Sequence, residues 1–236
     1  MINKDFLCSC AQGVGVELSV RQAEQFDQYA QMLCDYNQSV NLTAITEPTE
    51  IVVKHFEDSL ALMRYVSLAP GCKMADVGTG AGFPAVPLLI ASEGVDMTLI
   101  EATNKKLTFI DAVLKALGLR ADLLHMRGEE AGKKAEYREQ FDVVTARAVA
   151  NLRSLSEYCL PLVKVGGTFA AMKSSLVEDE IKEAAHAITL LGGKIDATYT
   201  YTLSNGDPRS VVLIKKISQT SPKYPRASAV ISKKPL

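Results

Sequence analysis

The sequence predicts an α/β fold whose mostly parallel sheet ends in an antiparallel hairpin and is preceded by helices. Short strand-like runs alternate with helical runs from residue 72 onward, and units of this length build parallel sheets with helices on both faces. A glycine-rich segment joins the first strand-like run to the first of these helices. Near the end of the chain, two strand-like runs flank Ser204-Asn-Gly-Asp207, and Asn-Gly in that position predicts a hairpin.

Two helices are predicted before the sheet. Residues 19–36 carry apolar side chains at spacings of three and four, with Ser19 as the N-cap. A second helix should have Pro48 in its first turn and end near Ser67, because a Pro-Gly pair follows shortly afterwards.

The elements of the sheet region follow from the same periodicity. Strands are predicted at residues 72–77, 95–100, 122–126, 141–145, 167–172, 194–203 and 209–217. Helices are predicted at residues 84–92, 104–117, 129–139, 151–162 and 176–191. The chain is thereby divided into an N-terminal helical element (1–70) packed on the main domain (71–217) and a basic tail (218–236). Such a tail is expected to be loose unless it docks on something.

The composition is that of an ordinary globular protein. Hydrophobic residues make up 47% and charged residues 22% of the 236 residues, which allows a sizeable core. No apolar run is long enough for a membrane span or a signal peptide, so a cytoplasmic protein without a membrane partner is expected. Five cysteines argue against a disulfide framework, and Cys8 and Cys10 lack a second Cys/His pair, so no metal site is predicted.

Charge is distributed unevenly along the chain. Residues 208–236 contain seven basic side chains and no acidic one, whereas the other 207 residues contain 19 basic and 27 acidic side chains. A basic end on an acidic body indicates a polyanionic partner such as nucleic acid, but it is equally typical of a solvated tail that keeps a protein soluble. Charge alone leaves both interpretations open.

The glycine-rich segment, Asp76-Val-Gly78-Thr-Gly80-Ala-Gly82-Phe83, predicts a nucleoside-binding loop. Glycines between a strand and a helix allow a tight turn and let a ligand approach main-chain N–H groups. Glu101 ends the next strand 19 residues after Gly82, where a carboxylate can accept hydrogen bonds from both ribose hydroxyls. Dinucleotide sites use G-x-G-x-x-G, but Phe83 stands where their last glycine would be. The pattern looks more like the S-adenosylmethionine loop of class I methyltransferases.

Two further segments lie at the same predicted edge of the sheet. Arg127-Gly128-Glu129 follows the third strand, where an adenine ring would be contacted. Arg147 follows the fourth strand, at the carboxyl edge where ligands of such sheets bind. It could anchor the methionine carboxylate or the substrate, or form only a surface salt bridge.

Together these residues resemble the RsmG (GidB) family, bacterial enzymes that methylate guanosine N7 in small-subunit ribosomal RNA. The resemblance runs from Asn41 to the end of the chain. It rests on these segments: Asn41-Leu-Thr-Ala-Ile, His55-Phe-Glu-Asp-Ser59-Leu, Asp76 to Pro84, Glu101-Ala-Thr-Asn-Lys-Lys106, Arg127-Gly-Glu129, Ala146-Arg-Ala148, Lys223-Tyr-Pro-Arg226 and Lys233-Lys-Pro-Leu236. It departs from the family pattern at Ala85, Ala227, Ala229 and Ile231.

The resemblance implies a class I methyltransferase (Rossmann-like) fold, S-adenosylmethionine as cofactor, and 16S ribosomal RNA or the 30S subunit as partner. No DNA and no obligate protein partner are expected. The predicted cofactor-binding residues are Asp76, Gly78, Gly80, Gly82, Phe83, Glu101, Ala102, Thr103, Gly128, Glu129 and Arg147. The predicted RNA-binding residues are Arg147, Lys173, Lys223 and Arg226.

The implied reaction needs alignment more than acid–base chemistry. Guanine N7 is already a lone-pair nucleophile and loses no proton, so no general base is required, and Arg147 is the only candidate for a catalytic role. His55 and Asp58, three residues apart on one helix, are expected to have a structural or RNA-facing role. The paired A-form groove is too narrow to read this base edge, so the target should be an exposed nucleotide.

Two other functions remain open at this point. A methyltransferase acting on a small molecule or a protein would share the cofactor loop, and deletion of residues 218–236 should leave it intact but cripple an RNA enzyme. A binding module that keeps the pocket without chemistry is the second alternative, although the intact acidic residues and glycines argue against it.

Overall fold

The structure is a computed structural model and describes residues 1–174 and 177–236. Within them the strands are β1 (Lys73–Val77), β2 (Asp96–Glu101), β3 (Asp122–His125), β4 (Phe141–Arg147), β5 (Val163–Lys173), β6 (Gly193–Thr202) and β7 (Pro208–Lys216). The α-helices are α1 (Lys4–Gly13), α2 (Val20–Asn37), α3 (Pro48–Glu50), α4 (Asp58–Leu60), α5 (Ala85–Ala91), α6 (Asn104–Leu117), α7 (Gly128–Ala131), α8 (Leu152–Cys159), α9 (Glu178–Leu190) and α10 (Ser228–Lys233).

The strands form one sheet in the order β3-β2-β1-β4-β5-β7-β6. Strands β1 to β5 run parallel, and β7 is antiparallel to both β5 and β6. This confirms the predicted parallel sheet with a terminal antiparallel hairpin. The order reverses between β1 and β4, which is where ligands bind in open α/β sheets.

The sheet has an apolar layer on each face. Met74 and Leu99 pack with the N-terminal helices, α5 and α6, whereas their neighbours Ala75 and Ile100 pack with α8 and α9. This alternation follows from the two-residue period of a strand, and both faces are apolar because helices cover both of them.

The N-terminal lobe, residues 1–64, shares its apolar core with one face of the sheet. Helix α2 begins at the predicted N-cap, where Ser19 and Gln22 form a capping box. Its side chains Phe26, Tyr29 and Leu33 are completely buried. Helix α1, which was not predicted, is capped by Asn3 and buries a single stripe.

Residues 48–64 form one helical segment with a widened middle. Pro48 begins it as predicted, residues Ile51–Glu57 are π-helical, and Ala61–Arg64 form a 3₁₀ turn, so the segment ends before the predicted Ser67. A π-helical turn shifts the side chains that follow around the helix axis, and such turns often lie at functional sites. Here His55 and Asp58 face the carboxyl edge of the sheet.

Several predicted boundaries need correction. Helix α7 covers only residues 129–131 of the predicted helix at 129–139, and Glu139 adopts the left-handed region. Strand β5 begins earlier than predicted, because Val163 already pairs with Phe141, and a register shift between Phe141 and Val143 accommodates residues 164–167. Helix α8 ends at Cys159, shortly before Pro161. The predicted start of the last helix, Leu176, lies outside the described residues.

The tail, residues 218–236, is docked on the sheet domain. The Arg138 guanidinium donates hydrogen bonds to the carbonyls of Thr220 and Tyr224 at 2.6 and 2.8 Å. Ile231 in α10 is fully buried. No helix in the described ranges is long and apolar enough to cross a membrane, and no metal-binding cluster of His, Cys, Asp or Glu occurs there.

Candidate functional site

A cavity of about 570 Å³ opens at the carboxyl edge of the sheet, beside the point where the strand order reverses. It brings together five of the predicted cofactor residues: Gly78, Glu101, Ala102, Gly128 and Glu129. They come from the ends of β1 and β2 and the start of α7, so the parallel topology positions all of them.

The glycine loop borders this cavity at Gly78. Gly78, Gly80 and Gly82 have φ values of 71°, 62° and 100°, which L side chains rarely adopt. A Cβ atom on Gly78 would lie 2.7 Å from the Val149 side chain. The main chain at Gly78 therefore borders a narrow space that a side chain would fill.

The Glu101 carboxylate is held in place at the wall of the cavity. Its Oε2 accepts a hydrogen bond from the Gly80 N–H at 3.0 Å, and its Oε1 accepts one from the Thr103 N–H at 2.9 Å. Each oxygen keeps a further lone pair, so the fixed carboxylate can accept two hydroxyl donors from a ligand. Gly80 and Thr103 thus act through their main chains to position Glu101.

Glu129 is the second acidic side chain of the cavity. It is 5% exposed, and its Oε1 has no hydrogen-bond partner among the described residues. A buried carboxylate oxygen without a donor costs free energy, about 1–3 kcal/mol for an ordinary polar group and more for a charged one. A ligand with an amino group would satisfy it.

Asp76 lies beneath the loop instead of in the cavity. It is completely buried, and burial raises its pKa to about 7. The Thr79 hydroxyl and the Arg147 charge oppose this rise without offsetting it. Thr79 is close but not in hydrogen-bonding geometry, since neither Asp76 oxygen has a partner among the residues described. Asp76 therefore does not line either cavity.

A second, smaller cavity of about 250 Å³ adjoins the first, and both are lined by Ala148. Its charged lining consists of Lys54, Asp58, Arg147, Lys173 and Arg209. Four cationic side chains, each paired with a carboxylate, surround a small space and suit a polar ligand that accepts hydrogen bonds.

Arg147 is the central side chain of the second cavity. Its guanidinium donates to Asp58 Oδ2 at 2.9 Å and to the Lys54 carbonyl at 3.2 Å, and it lies 5.1 Å from the centre of the Phe83 ring. Asp58 also accepts a hydrogen bond from the Tyr201 hydroxyl at 2.9 Å. This network fixes the guanidinium in the second cavity, and Arg147, which was predicted to bind the cofactor, does not line the first one.

His55 completes the network as a neutral side chain. It stacks on Phe83 with ring centres 4.3 Å apart, and burial lowers its pKa to about 3, with the Arg147 charge acting in the same direction. A guanidinium only donates, so Nδ1 accepts from Arg147 at 3.3 Å, and Nε2–H donates to the Thr43 hydroxyl at 2.9 Å. His55 is therefore uncharged at neutral pH, and it lines the second cavity without adding a positive charge to it.

Comparison with known proteins places the chain in a family. The family model described as rRNA small subunit methyltransferase G matches residues 22–206. The chain belongs to this family. It is 43% identical to the Ribosomal RNA small subunit methyltransferase G of Clostridium novyi (strain NT), over 98% of this chain and 96% of that one. It is 46% identical to the protein of the same name from Staphylococcus saprophyticus, over 94% and 93% of the two chains.

Solved structures support the fold of this small-subunit rRNA methyltransferase. An S-adenosylmethionine-dependent O-methyltransferase from Thermotoga maritima superposes with a TM-score of 0.53 at 15% identity, over 80% of this chain and 72% of that one. TrmN from Thermus thermophilus superposes with a TM-score of 0.53 at 19% identity, over 67% of this chain and 48% of that one. At these identities the likeness concerns the class I methyltransferase fold alone.

Two other predicted cofactor-binding residues, Phe83 and Gly82, have structural positions instead. Phe83 packs inside the lobe against His55 and Tyr29, with 5% of its surface exposed. Gly82 is also structural, because a Cβ there would lie 2.9 Å from the Tyr29 hydroxyl, which donates to the Ala81 carbonyl. Neither residue lines the first cavity.

The predicted RNA-binding residues lie in different environments. Lys173 lines the second cavity and pairs with Glu180 at 2.8 Å. Lys223 is exposed. Arg226 is instead held by Glu157, which is completely buried and accepts from both Nε and Nη2, at 2.9 and 2.7 Å. Its charge is thus neutralised within the protein.

Sequence reasoning missed two groups of site residues. Arg209 was predicted only as one of the basic residues near the end of the chain. It lines the second cavity, with its Nε 3.5 Å from Asp58. Ser154 and Tyr158 line the first cavity from α8. Their helical spacing is a signal for one shared face, but nothing in the sequence indicates that this face meets the glycine loop.

Proposed function

We propose that this protein transfers a methyl group from S-adenosylmethionine to N7 of a guanosine in the 16S ribosomal RNA of the small subunit, in the cytoplasm. Membership of the rRNA small subunit methyltransferase G family supports the reaction class. The observation that carries the proposal is the pair of cavities that meet at Ala148. One fits a nucleoside cofactor and the other fits a single base.

The first cavity has the donors and acceptors that S-adenosylmethionine requires. Glu101 would accept hydrogen bonds from both ribose hydroxyls. The Glu129 carboxylate would accept one from the adenine amino group. The Gly78 main chain would border the methionine part, where a side chain would not fit. When bound, S-adenosylmethionine supplies an electrophilic methyl group on a positively charged sulfur.

The second cavity would receive the guanine base of the target nucleotide. Arg147 and Lys173 present donors that can bind O6, beside N7, while N7 itself stays free. No group in this network has to remove a proton, which agrees with the low pKa of His55. Alignment then provides most of the rate, since well-oriented intramolecular reactions reach effective molarities of roughly 10⁵ M or more.

The reaction also moves a positive charge toward the guanine. Asp58 is the one carboxylate among the lining residues of the second cavity, and its Oδ2 is 2.9 Å from Arg147. Its negative charge would offset part of the repulsion between the methylated base and the surrounding cations. Exposed basic residues such as Lys223 would hold the phosphates of an unpaired RNA segment.

The direct test is methyl transfer from tritiated S-adenosylmethionine to 30S subunits that lack N7-methylguanosine. Label should appear at one guanosine that is cleaved after borohydride reduction and aniline treatment. Label elsewhere in the RNA would refute the N7 assignment. Cofactor binding without any label in RNA would instead favour a small-molecule or protein acceptor.

Two variants test the site assignment within the same assay. Glu101→Gln should weaken S-adenosylmethionine binding by about 10- to 100-fold, the range for hydrogen bonds to a charged group. Arg147→Lys should leave cofactor affinity within about threefold and lower methyl transfer, since a lysine cannot reproduce the guanidinium fork. Lys115→Ala, at an exposed position on α6, is the control for both.

A further inference from the structure

We infer that the C-terminal tail is a wall of the cofactor cavity, and that it sets the affinity for the adenosine end of S-adenosylmethionine. This inference rests on the proposed function, because it concerns the ligand of that cavity. It assigns the tail a role different from the RNA arm that its charge suggests.

The first observation is where α10 lies. Ser232 lines the first cavity together with Tyr158 of α8 and Arg127 before α7. Ser228, one turn earlier in α10, has its hydroxyl 3.5 Å from Arg127 Nη1. Burial raises the pKa of Tyr158, and the neighbouring Ser228 hydroxyl acts against that rise. Helix α10 therefore borders the end of the cavity that is formed by residues after β3.

The second observation is that two arginines of the sheet domain bind the beginning and the end of the tail. Arg138 donates to the carbonyls of Thr220, Ser221 and Tyr224. Arg153 donates to the carbonyls of Pro235 and Leu236 at 2.9 and 2.6 Å. The tail is thus bound at its beginning and its end through its main chain.

The middle of the tail is joined to the same helix that lines the cavity. Glu157 accepts a hydrogen bond from the Arg226 main-chain N–H at 2.8 Å in addition to the two from the guanidinium. Glu157 precedes Tyr158 in α8, and Ser154 lies one turn before it. An ion pair that holds the tail therefore also holds the helix that supplies two side chains to the cavity.

An apolar contact seats α10 against the domain. Ile231 is completely buried, whereas Val230 before it is 46% exposed. Isoleucine at this position is one of the departures from the family pattern. Its burial turns Ser232 and Ser228 toward the cavity side, because neighbouring residues on a helix point about 100° apart.

The basic residues of the chain's end are only partly available to RNA. Lys216 is buried, with its Nζ 2.7 Å from the Leu160 carbonyl and 3.0 Å from Glu139. Arg226 is paired with Glu157. The exposed ones are Lys215, Lys223, Lys233 and Lys234. Lys216 and Arg226 therefore stabilise the fold and are not available to bind RNA.

The test compares two tryptophan substitutions on α10 in the full-length chain, by calorimetric titration with S-adenosylmethionine and with 5′-methylthioadenosine. Ser232→Trp should weaken both ligands by tenfold or more, because the indole occupies the adenosine end. Val230→Trp, on the exposed side of the same helix, should change either affinity by less than twofold. Filter binding of 16S RNA should stay within twofold for both variants.

A second measurement does not depend on a substitution. Hydrogen exchange of the amides of residues 228–233 in the wild-type protein should slow by several-fold when S-adenosylmethionine binds. If Ser232→Trp binds both ligands as well as the wild type and exchange in α10 does not change, the inference is wrong while the proposed function stands. If the wild type binds neither ligand, the proposed function itself fails.

Discussion

The two ends of the chain are attached to the same sheet by different forces. The N-terminal lobe contributes large side chains such as Phe26, Tyr29 and Phe56 to the apolar core, all completely buried. The tail contributes few buried apolar side chains and is held by Arg138, Glu157 and their partners. The lobe is thus part of the core, whereas the tail is attached to the sheet domain mainly by polar contacts.

This difference determines how each end responds to a change. Burying a large apolar side chain stabilises by about 1.5–3 kcal/mol and involves no charged group. A buried ion pair contributes little net stability, but removing one partner leaves an unpaired charge and is strongly destabilising. Stability should therefore fall with the apolar volume removed from the lobe, whereas attachment of the tail should depend on single polar positions.

The largest effect is expected from truncation in the lobe. Phe26→Ala removes a ring that lies 4.8 Å from Phe56, and a cavity of this kind costs about 3–5 kcal/mol. Urea unfolding followed by circular dichroism should show this loss in a single transition. Val20→Ala, at a position 78% exposed on the same helix, is the control and should change stability by less than about 0.5 kcal/mol. A loss below 1 kcal/mol for Phe26→Ala would mean that the lobe is not part of the core.

The next effect comes from the ion pair of the tail. Glu157→Gln leaves the Arg226 guanidinium without its counter-charge, and we expect a loss of about 2 kcal/mol, less than for a fully buried pair because Arg226 is partly exposed. The double variant Glu157→Gln/Arg226→Met should be more stable than the single one. Limited proteolysis should cut the tail of the single variant first. Equal losses in the two variants would show that the uncompensated charge is not the cause.

Acid should act on the lobe through His55. Its pKa is about 3 in the folded protein and about 6.5 when unfolded, so the unfolded state binds the proton first and stability falls as pH drops below 6.5. The loss between pH 7 and pH 5 should be about 2 kcal/mol. His55→Asn removes this titration. The stability difference between wild type and variant should therefore be about 2 kcal/mol smaller at pH 5 than at pH 7. A constant difference would contradict the neutral assignment.

The smallest effect on stability is expected at the exposed charges of the tail. Lys223→Ala should change the free energy of unfolding by less than about 0.5 kcal/mol. It should reduce the slope of log affinity for 16S RNA against log salt by about 0.7, the contribution of one phosphate contact. Lys115→Ala, which is exposed at the far end of α6, should leave the slope unchanged. An identical slope for both variants would remove Lys223 from the RNA surface.

The parallel sheet, α2 and α6 could be predicted because local signals agree with the tertiary structure. Helix α6 occupies the predicted residues 104–117, since its apolar period and Gly118 both mark it. The segment at 129–139 could not be predicted, because its charged side chains suit an exposed helix equally well. Its actual conformation depends on the tail, to which Arg138 and Glu139 bind.

The candidate site also has a part that the sequence predicts and a part that it does not. The order of strands and helices places Gly78, Glu101 and Gly128 together, so the sequence was sufficient to predict them as neighbours. The partner of a charge depends instead on contacts between distant residues. Nothing near Arg226 in the sequence indicates Glu157, 69 residues earlier, or that Arg147 would pair with Asp58.

The core that the lobe shares with the sheet has a consequence during synthesis. A nascent chain leaves the ribosome from its N-terminus, so Phe26, Tyr29 and Phe56 emerge before Met74 and Leu99, the residues against which their cluster is completed. Until the first two strands and α6 have followed, roughly a quarter to half of the chain exposes apolar surface with nothing to cover it. Chaperones that shield apolar segments on the ribosome would act on this interval, and a translational pause before β1 would lengthen it.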